Sequence, residues 1–148
     1  MNSDMAVQRI LNGESVKGEQ INGPLHIEGM KIIGNLVLEG VHCSNSLQIH
    51  DCEIGGCINL KNAKVDSFCK ISNTKIGSLG LLLANFHALR LIISNCTIDG
   101  DIHLTGCGIE QGFLVEKITG PAYIVIERER AEEAHLLFPT TPIYLEKL

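Results

Sequence analysis

Apolar residues recur in pairs, two residues apart, at intervals of eleven residues along most of the chain. The pairs are Leu25/Ile27, Leu36/Leu38, Leu47/Ile49, Ile58/Leu60, Cys69/Ile71, Leu91/Ile93, Ile102/Leu104, Phe113/Val115 and Ile124/Ile126. Residues spaced by two project from the same face of a β-strand, whereas a helical face needs intervals of three and four. The pattern therefore predicts a stack of short strands.

Each unit carries a second apolar pair, which is Met30 and Ile32 in the first unit. Nine units between residues 25 and 120 provide 36 such inward positions, and 31 of these hold an apolar residue. The intervening corners carry Gly, Asn or Asp, residues that tolerate the left-handed backbone of a tight turn. These include Gly29, Gly34, Gly40, Asp51, Gly56, Asn62, Asn73, Asn95, Gly100 and Gly106.

Each unit divides into five residues and then six, as in LHIEG followed by MKIIGN and LVLEG followed by VHCSNS. Over residues 14–120 this resembles the pentapeptide-repeat family, whose members wind five-residue sides into a right-handed, four-sided β-helix. The sixth residue at every second corner departs from that family. The resemblance implies an all-β, right-handed parallel β-solenoid with four sides and about five coils, in which two successive units close one coil.

The two ends of the chain depart from the repeat. We expect one domain over residues 1–148, with an N-terminal cap at 1–13, a repeat region at 14–126 and a C-terminal cap and tail at 127–148. Ser3 or Asp4 begins a predicted short helix that Gly13 ends. ERERAEEAHLLF has a helix-forming composition, and PTTPIYLEKL is predicted to be extended.

One unit, within residues 79–93, does not fit the repeat. In strict register the inward residues would be Gly80, Leu82, Asn85 and His87. A slip of one residue turns every side chain to the opposite face, and the inward residues become Leu81, Leu83, Phe86 and Ala88. We favour the slip, which needs a bulge near Gly77 to Gly80 and a tightened corner before Leu91. In the alternative, Leu81, Leu83 and Phe86 form an outward apolar patch, which would mark a partner surface.

Ile92 and Leu114 are predicted to point outward in either register, one coil apart in the same column. The candidate interface for a partner or a second copy therefore comprises Leu81, Leu83, Phe86, Ile92 and Leu114. The last two depend least on the register.

Composition agrees with a solenoid in a reducing compartment. Aromatic residues make up 4% of the chain and Trp is absent, so Ile, Leu, Val and Cys must fill the core. We identify neither a signal peptide nor a membrane-spanning stretch, and six Cys without an export signal favour free thiols and a cytoplasmic location. Cys57, at a corner, is the thiol we expect to be exposed. The remaining cysteines are predicted to point inward, at positions 43, 52, 69, 96 and 107.

The polar residues reveal no catalytic, cofactor or metal motif, and we predict that the protein is not an enzyme. We expect the histidines at 26, 42, 50 and 103 to point outward without an accompanying carboxylate cluster. The lysines at 61, 64, 70 and 75 are predicted to be spread around one coil. A net charge of −5 disfavours a nucleic-acid partner, and no feature indicates a small-molecule substrate.

These observations favour a non-catalytic scaffold that binds a protein partner or itself, with a homodimer as the expected state. Two alternatives remain. Some pentapeptide-repeat proteins mimic DNA at a topoisomerase, although residues 25–120 hold nine acidic and seven basic residues, close to balance. The other is a filament-forming β-helix that resembles bactofilins and assembles end to end.

Overall fold

The computed structural model is an all-β parallel solenoid of about five turns with one short N-terminal helix. It describes residues 1–121, 123–127 and 130, and the backbone of 143–146. The helix is α1 (Ser3–Leu11). The strands in chain order are β1 (Gln20–Ile21), β2 (Leu25–Glu28), β3 (Lys31–Ile32), β4 (Leu36–Val37), β5 (His42–Cys43), β6 (Leu47–His50), β7 (Glu53–Ile54), β8 (Cys57–Asn59), β9 (Lys64–Ser72), β10 (Lys75–Ile76), β11 (Gly80–Leu82), β12 (His87–Ile98), β13 (Ile102–His103), β14 (Gly108–Ile109), β15 (Phe113–Thr119), β16 (Ile124–Glu127) and β17 (Ile143–Glu146).

The strands form four stacks, which we call faces A to D. Face A contains residues 25–28, 47–50, 69–72, 91–94 and 113–116. Face B contains 31–32, 53–54, 75–76 and 97–98. Face C contains 36–37, 57–59, 80–82, 102–103, 124–127 and 143–146. Face D contains 20–21, 42–43, 64–65, 87–88 and 108–109. Successive strands of a face are its rungs, numbered from the N-terminal end. The predicted four-sided solenoid is thus confirmed.

The core is a continuous column of aliphatic side chains inside the coil. Leu25 lies beside Leu47, which is one coil later in the chain, and Ile27 lies beside Ile49. All four side chains are fully buried. Burying each such side chain contributes about 1.5–3 kcal/mol. A polar exception is Thr74, which is 2% exposed and whose hydroxyl donates to the Ser72 carbonyl at 2.8 Å.

Two of the four corners require a left-handed backbone in every coil. The first of these corners has φ between 49° and 66°, and the second between 56° and 73°. The residues at the first are Gly29, Asp51, Asn73, Asn95 and Lys117, and those at the second are Gly18, Gly40, Asn62, Asn85 and Gly106. The predicted role of Gly, Asn and Asp is confirmed there. Gly34, Gly56 and Gly100 have no positive φ, so this explanation does not apply to them.

The irregular unit takes the slipped register. Ile76 pairs with Ile54, whereas Gly80 pairs with Cys57, so the interval between partners grows by one residue from the first pair to the second. The extra residue is lost again between Ala88 and Arg90. The predicted bulge and tightened corner are both present. Leu81, Leu83 and Phe86 are therefore fully buried, so the alternative outward patch does not form.

The N-terminal end is covered by α1, which packs against β2 and buries Ala6 completely. The helix begins at Ser3, one of the two predicted start residues, and is capped by Asn2, whose side chain accepts a hydrogen bond from the Met5 amide at 2.8 Å. Gly13 follows the helix with φ of 73°, as expected for a stop. Within the described part of the chain, no helix is long and apolar enough to span a membrane.

At the C-terminal end, β17 pairs with β16 and adds a sixth rung to face C, which confirms an extended segment within the tail. The Arg130 guanidinium lies 5.7 Å from the centre of the Phe113 ring and donates to the Cys107 carbonyl at 3.3 Å. The predicted C-terminal helix lies outside the described residues, apart from Glu127 and Arg130.

Candidate functional site

Face A carries the predicted apolar contact column. Its first outward column runs, from rung 1 to rung 5, His26, Gln48, Lys70, Ile92 and Leu114. Ile92 and Leu114 are adjacent in this column, as predicted. Leu114 is 40% exposed and Ile92 is half-buried. Of the five predicted interface residues, these two reach the surface, and the other three lie in the core.

The second outward column of face A lies two residues further along the same strands. It runs Glu28, His50, Ser72, Ser94 and Glu116. Beside Ile92 and Leu114, this column therefore offers one small hydroxyl side chain, Ser94, which is 8% exposed, and one carboxylate, Glu116, which is exposed. On rungs 4 and 5, face A thus has two apolar side chains in its first outward column and a serine and a glutamate in its second.

His50 has two carboxylates around it, contrary to the expectation that no acidic cluster accompanies the histidines. Its Nε2 lies 3.6 Å from Glu28 Oε2 and its Nδ1 lies 3.4 Å from Asp51 Oδ2. One ligand atom from each residue lies within 4.8 Å of the others, so the three could hold a metal ion. However, the two ring nitrogens face different carboxylates, which suits an imidazole bridging two acids better than one ion bound by all three. The separation of Glu28 and His50 by one coil was the sequence signal for this group.

Face D carries an open groove of about 800 Å³, which the sequence did not predict. It lies where the coil loses one residue after Ala88, and Gly108 contributes no side chain to it. The His87 ring occupies the space that a side chain at position 108 would need. The residues lining the groove are Lys64, Val65, Asp66, His87, Ala88, Leu89, Gly108, Ile109 and Glu110.

One of the two carboxylates that line this groove is close to basic side chains. Asp66 Oδ1 lies 2.9 Å from His42 Nε2 and 3.9 Å from Lys64 Nζ. Glu110 adds a second carboxylate on the same lining. The lining therefore contains charged groups of both signs, one lysine and two carboxylates.

The six cysteines are free, and five of them are buried. The expectation that Cys57 is exposed is wrong: it is 4% exposed. Its amide donates to Asn35 Oδ1 at 2.9 Å, and Gly80 lies beside it in the next rung. The stacked corners therefore enclose the thiol. Cys107 is the least buried of the six, and its Sγ donates to the Leu83 carbonyl at 2.8 Å.

Burial suppresses the reactivity of these thiols. It raises the pKa of Cys43 and of Cys107 to about 12, and it raises the pKa of each of the other four above the ordinary value. Each unit of pKa lowers the thiolate fraction tenfold, and the thiolate is the nucleophile. None of the six is therefore poised for catalysis.

We expect native protein at pH 8 to react with iodoacetamide at least about 100-fold more slowly than guanidinium-unfolded protein, because burial restricts both access and ionisation. Mass spectrometry of the alkylated protein would count the modified thiols with time. Residual native reaction should occur at Cys107. Fast modification of Cys57 in the native protein would contradict its placement between stacked corners.

The four predicted basic residues do not form a patch. Lys64 lies on face D, Lys70 on face A and Lys75 on face B, while Lys61 follows the strand of face C. Each therefore points away from the solenoid in a different direction.

Comparison with known proteins finds no family model, no curated protein and no solved structure that matches this chain.

Proposed function

We propose that this protein is a non-catalytic scaffold that binds protein through the flat faces of the solenoid, and binds a second copy of itself through face A. The observation that carries the proposal is the outward column in which Leu114 is exposed and Ile92 is half-buried. Apolar groups that protrude together from a surface otherwise covered by polar side chains are typical of contact sites. Pairing of the two rungs fixes the backbone spacing of these residues, so binding requires no ordering of the backbone.

We further infer that the solenoid is a divergent relative of the pentapeptide-repeat proteins. Support comes from the four strand stacks of each coil and from the left-handed corners at every second turn. The extra residue at the other two corners is the main departure from the five-residue pattern.

The charge pattern supports a scaffold over a DNA mimic. A phosphate mimic needs dense columns of carboxylates, but the charges on face B alternate in sign from rung to rung. Lys31 lies beside Glu53, and Glu53 lies beside Lys75. Supercoiling assays with a topoisomerase would test the mimic directly, and we expect no inhibition.

The covered N-terminal end of the solenoid supports a closed oligomer over a filament. End-to-end stacking needs bare strand edges at both ends. Here α1 covers the first coil, with the Met1 amino group donating to the Gln20 carbonyl at 3.1 Å. At the other end, Arg130 lies over Phe113.

We place the protein in a reducing compartment, the cytoplasm. Six unpaired cysteines, five of them in the core, suit a location where thiols stay reduced. We propose no enzymatic role for the cysteines, since burial raises the pKa of each thiol above its ordinary value.

We expect the mass measured by light scattering to rise from 16.1 kDa toward twice that value as concentration increases. Leu114→Glu should hold the protein at the monomer mass, because it places a charge in the apolar contact. Leu79→Glu is the matched control, since Leu79 is 57% exposed but does not lie on face A. Equal masses for wild type and Leu114→Glu at every concentration would contradict self-association through this column.

A further inference from the structure

Face A has a self-complementary pattern of apolar, small and charged side chains. We propose, building on the self-association above, that two copies pack through face A as antiparallel rods. The twofold axis lies in the interface and runs along the strand of the fourth rung, through Ile92. Most symmetric dimers use one patch on both copies in this way.

Under this operation each outward column of one copy faces the same column of the second copy, with the order of the rungs reversed. Rung 4 meets rung 4, so Ile92 packs against Ile92 of the second copy. Rung 3 meets rung 5, so Lys70 faces Leu114 of the second copy, and Ser72 faces its Glu116. The methylene stem of Lys70 covers Leu114, because a lysine can bury its stem and keep its ammonium in water.

The same arrangement pairs opposite charges on both sides of the apolar centre. Lys70 and Ser72 lie two residues apart on one side of a strand, which separates them by about 7 Å. Glu116 of the second copy faces Ser72, and the small serine leaves it room beside Lys70. Facing sheets are about 10 Å apart, a gap that the lysine and glutamate side chains together can cross. Symmetry produces this ion pair twice.

Other arrangements give poorer contacts. With parallel rods each rung meets its own equivalent. An axis midway between the two outward columns sets Leu114 against Glu116 of the second copy, and an axis along the first column sets Lys70 against Lys70; in neither case does Lys70 gain a carboxylate partner. The antiparallel operation on face D brings Asp66 against Glu110, two like charges. Face A with antiparallel rods is the combination that matches apolar groups and opposite charges together.

The buried area of this contact is small, so the expected affinity of the dimer is low. Three overlapping rungs of about 4.8 Å and four residues of about 3.3 Å cover roughly 200 Å² per copy. A standard stable interface buries about 800 Å² per partner. The dimer is therefore weak and reversible, populated at high concentration.

Chemical crosslinking tests the geometry because it captures weak dimers. Ile92→Cys places two thiols opposite each other at the axis, within reach of a short bismaleimide, and the largely buried native cysteines do not compete. Ser72→Cys is the matched control, because its two copies lie on opposite sides of the axis, two rungs apart. We expect crosslinked dimer from Ile92→Cys and at least tenfold less from Ser72→Cys.

Charge reversal tests the ion pair in the Ile92→Cys background. Lys70→Glu and Glu116→Lys should each lower the crosslinking rate by about tenfold, since two attractive pairs become repulsive. The double variant should restore the rate. Equal crosslinking from Ser72→Cys and Ile92→Cys, or no rescue in the double variant, would overturn this geometry while leaving self-association intact. If the mass of the wild-type protein stays at 16.1 kDa up to about 1 mM, both this geometry and self-association through face A would be overturned.

Discussion

Leu83→Ala is expected to lower the free energy of unfolding by about 3–5 kcal/mol, the cost of removing a fully buried leucine from a core that cannot close the cavity. Leu83 has no exposed surface and packs inside the irregular unit. Its neighbour Leu82 points to the opposite face and is only partly buried. Leu82→Ala should therefore cost less than about 1 kcal/mol.

Urea unfolding followed by far-ultraviolet circular dichroism would measure both variants, since the chain has no Trp to report by fluorescence. The two substitutions remove the same atoms from adjacent residues of one segment, so their difference reports which face each side chain occupies. A larger loss for Leu82→Ala would mean that the strict register holds in solution. In that case Leu83 and Phe86 would return as candidates for an outward patch.

The register of this unit could be predicted because burial dominates the alternatives. Strict register would bury Asn85 and His87 and expose Phe86, whereas the slip reverses all three. Leaving two polar side chains buried without partners costs on the order of 1–3 kcal/mol each. A bulge leaves one extra residue unpaired in the ladder and keeps these side chains in solvent. A comparison of two registers by their side chains alone therefore gives the observed one.

The environment of Cys57 could not be predicted by the same reasoning. Strand positions alternate between inside and outside, but a corner residue has no fixed direction. Its burial depends on how the corner of one coil lies on the corner of the next, here between Asn35 and Gly80. That stacking depends on backbone details that a repeat pattern does not contain.

The candidate sites also differ in whether the sequence predicts them. The Ile92 and Leu114 column follows directly from the length of the coil, and so does the proximity of Glu28 to His50. The groove on face D does not: the sequence predicted the tightened corner before Leu91, but not the concavity beside it, where the His87 ring lies against Gly108. Features that repeat with the coil can therefore be predicted from the sequence, whereas this groove lies where the repeat is interrupted.

The second large effect is expected at a corner glycine. Gly77→Ala should lower the free energy of unfolding by about 3 kcal/mol or more, through steric overlap between neighbouring coils. A Cβ on Gly77 would overlap the carbonyl oxygen of Gly55 in the coil below. Neither group can move away freely, since the Gly77 amide donates to the Ile54 carbonyl at 2.9 Å and the Gly55 amide to the Ile32 carbonyl at 2.8 Å.

Gly34→Ala is the matched control for this corner. Gly34 belongs to the corresponding turn of the first coil, has no positive φ, and has nothing within 4 Å of the position a Cβ would take. There alanine should leave stability unchanged or raise it by up to about 1 kcal/mol, because it restricts the unfolded chain. Thermal and urea unfolding of both variants would decide the matter. Equal stability of Gly77→Ala and Gly34→Ala would mean that the coils stack less closely at this corner than the backbone distances require.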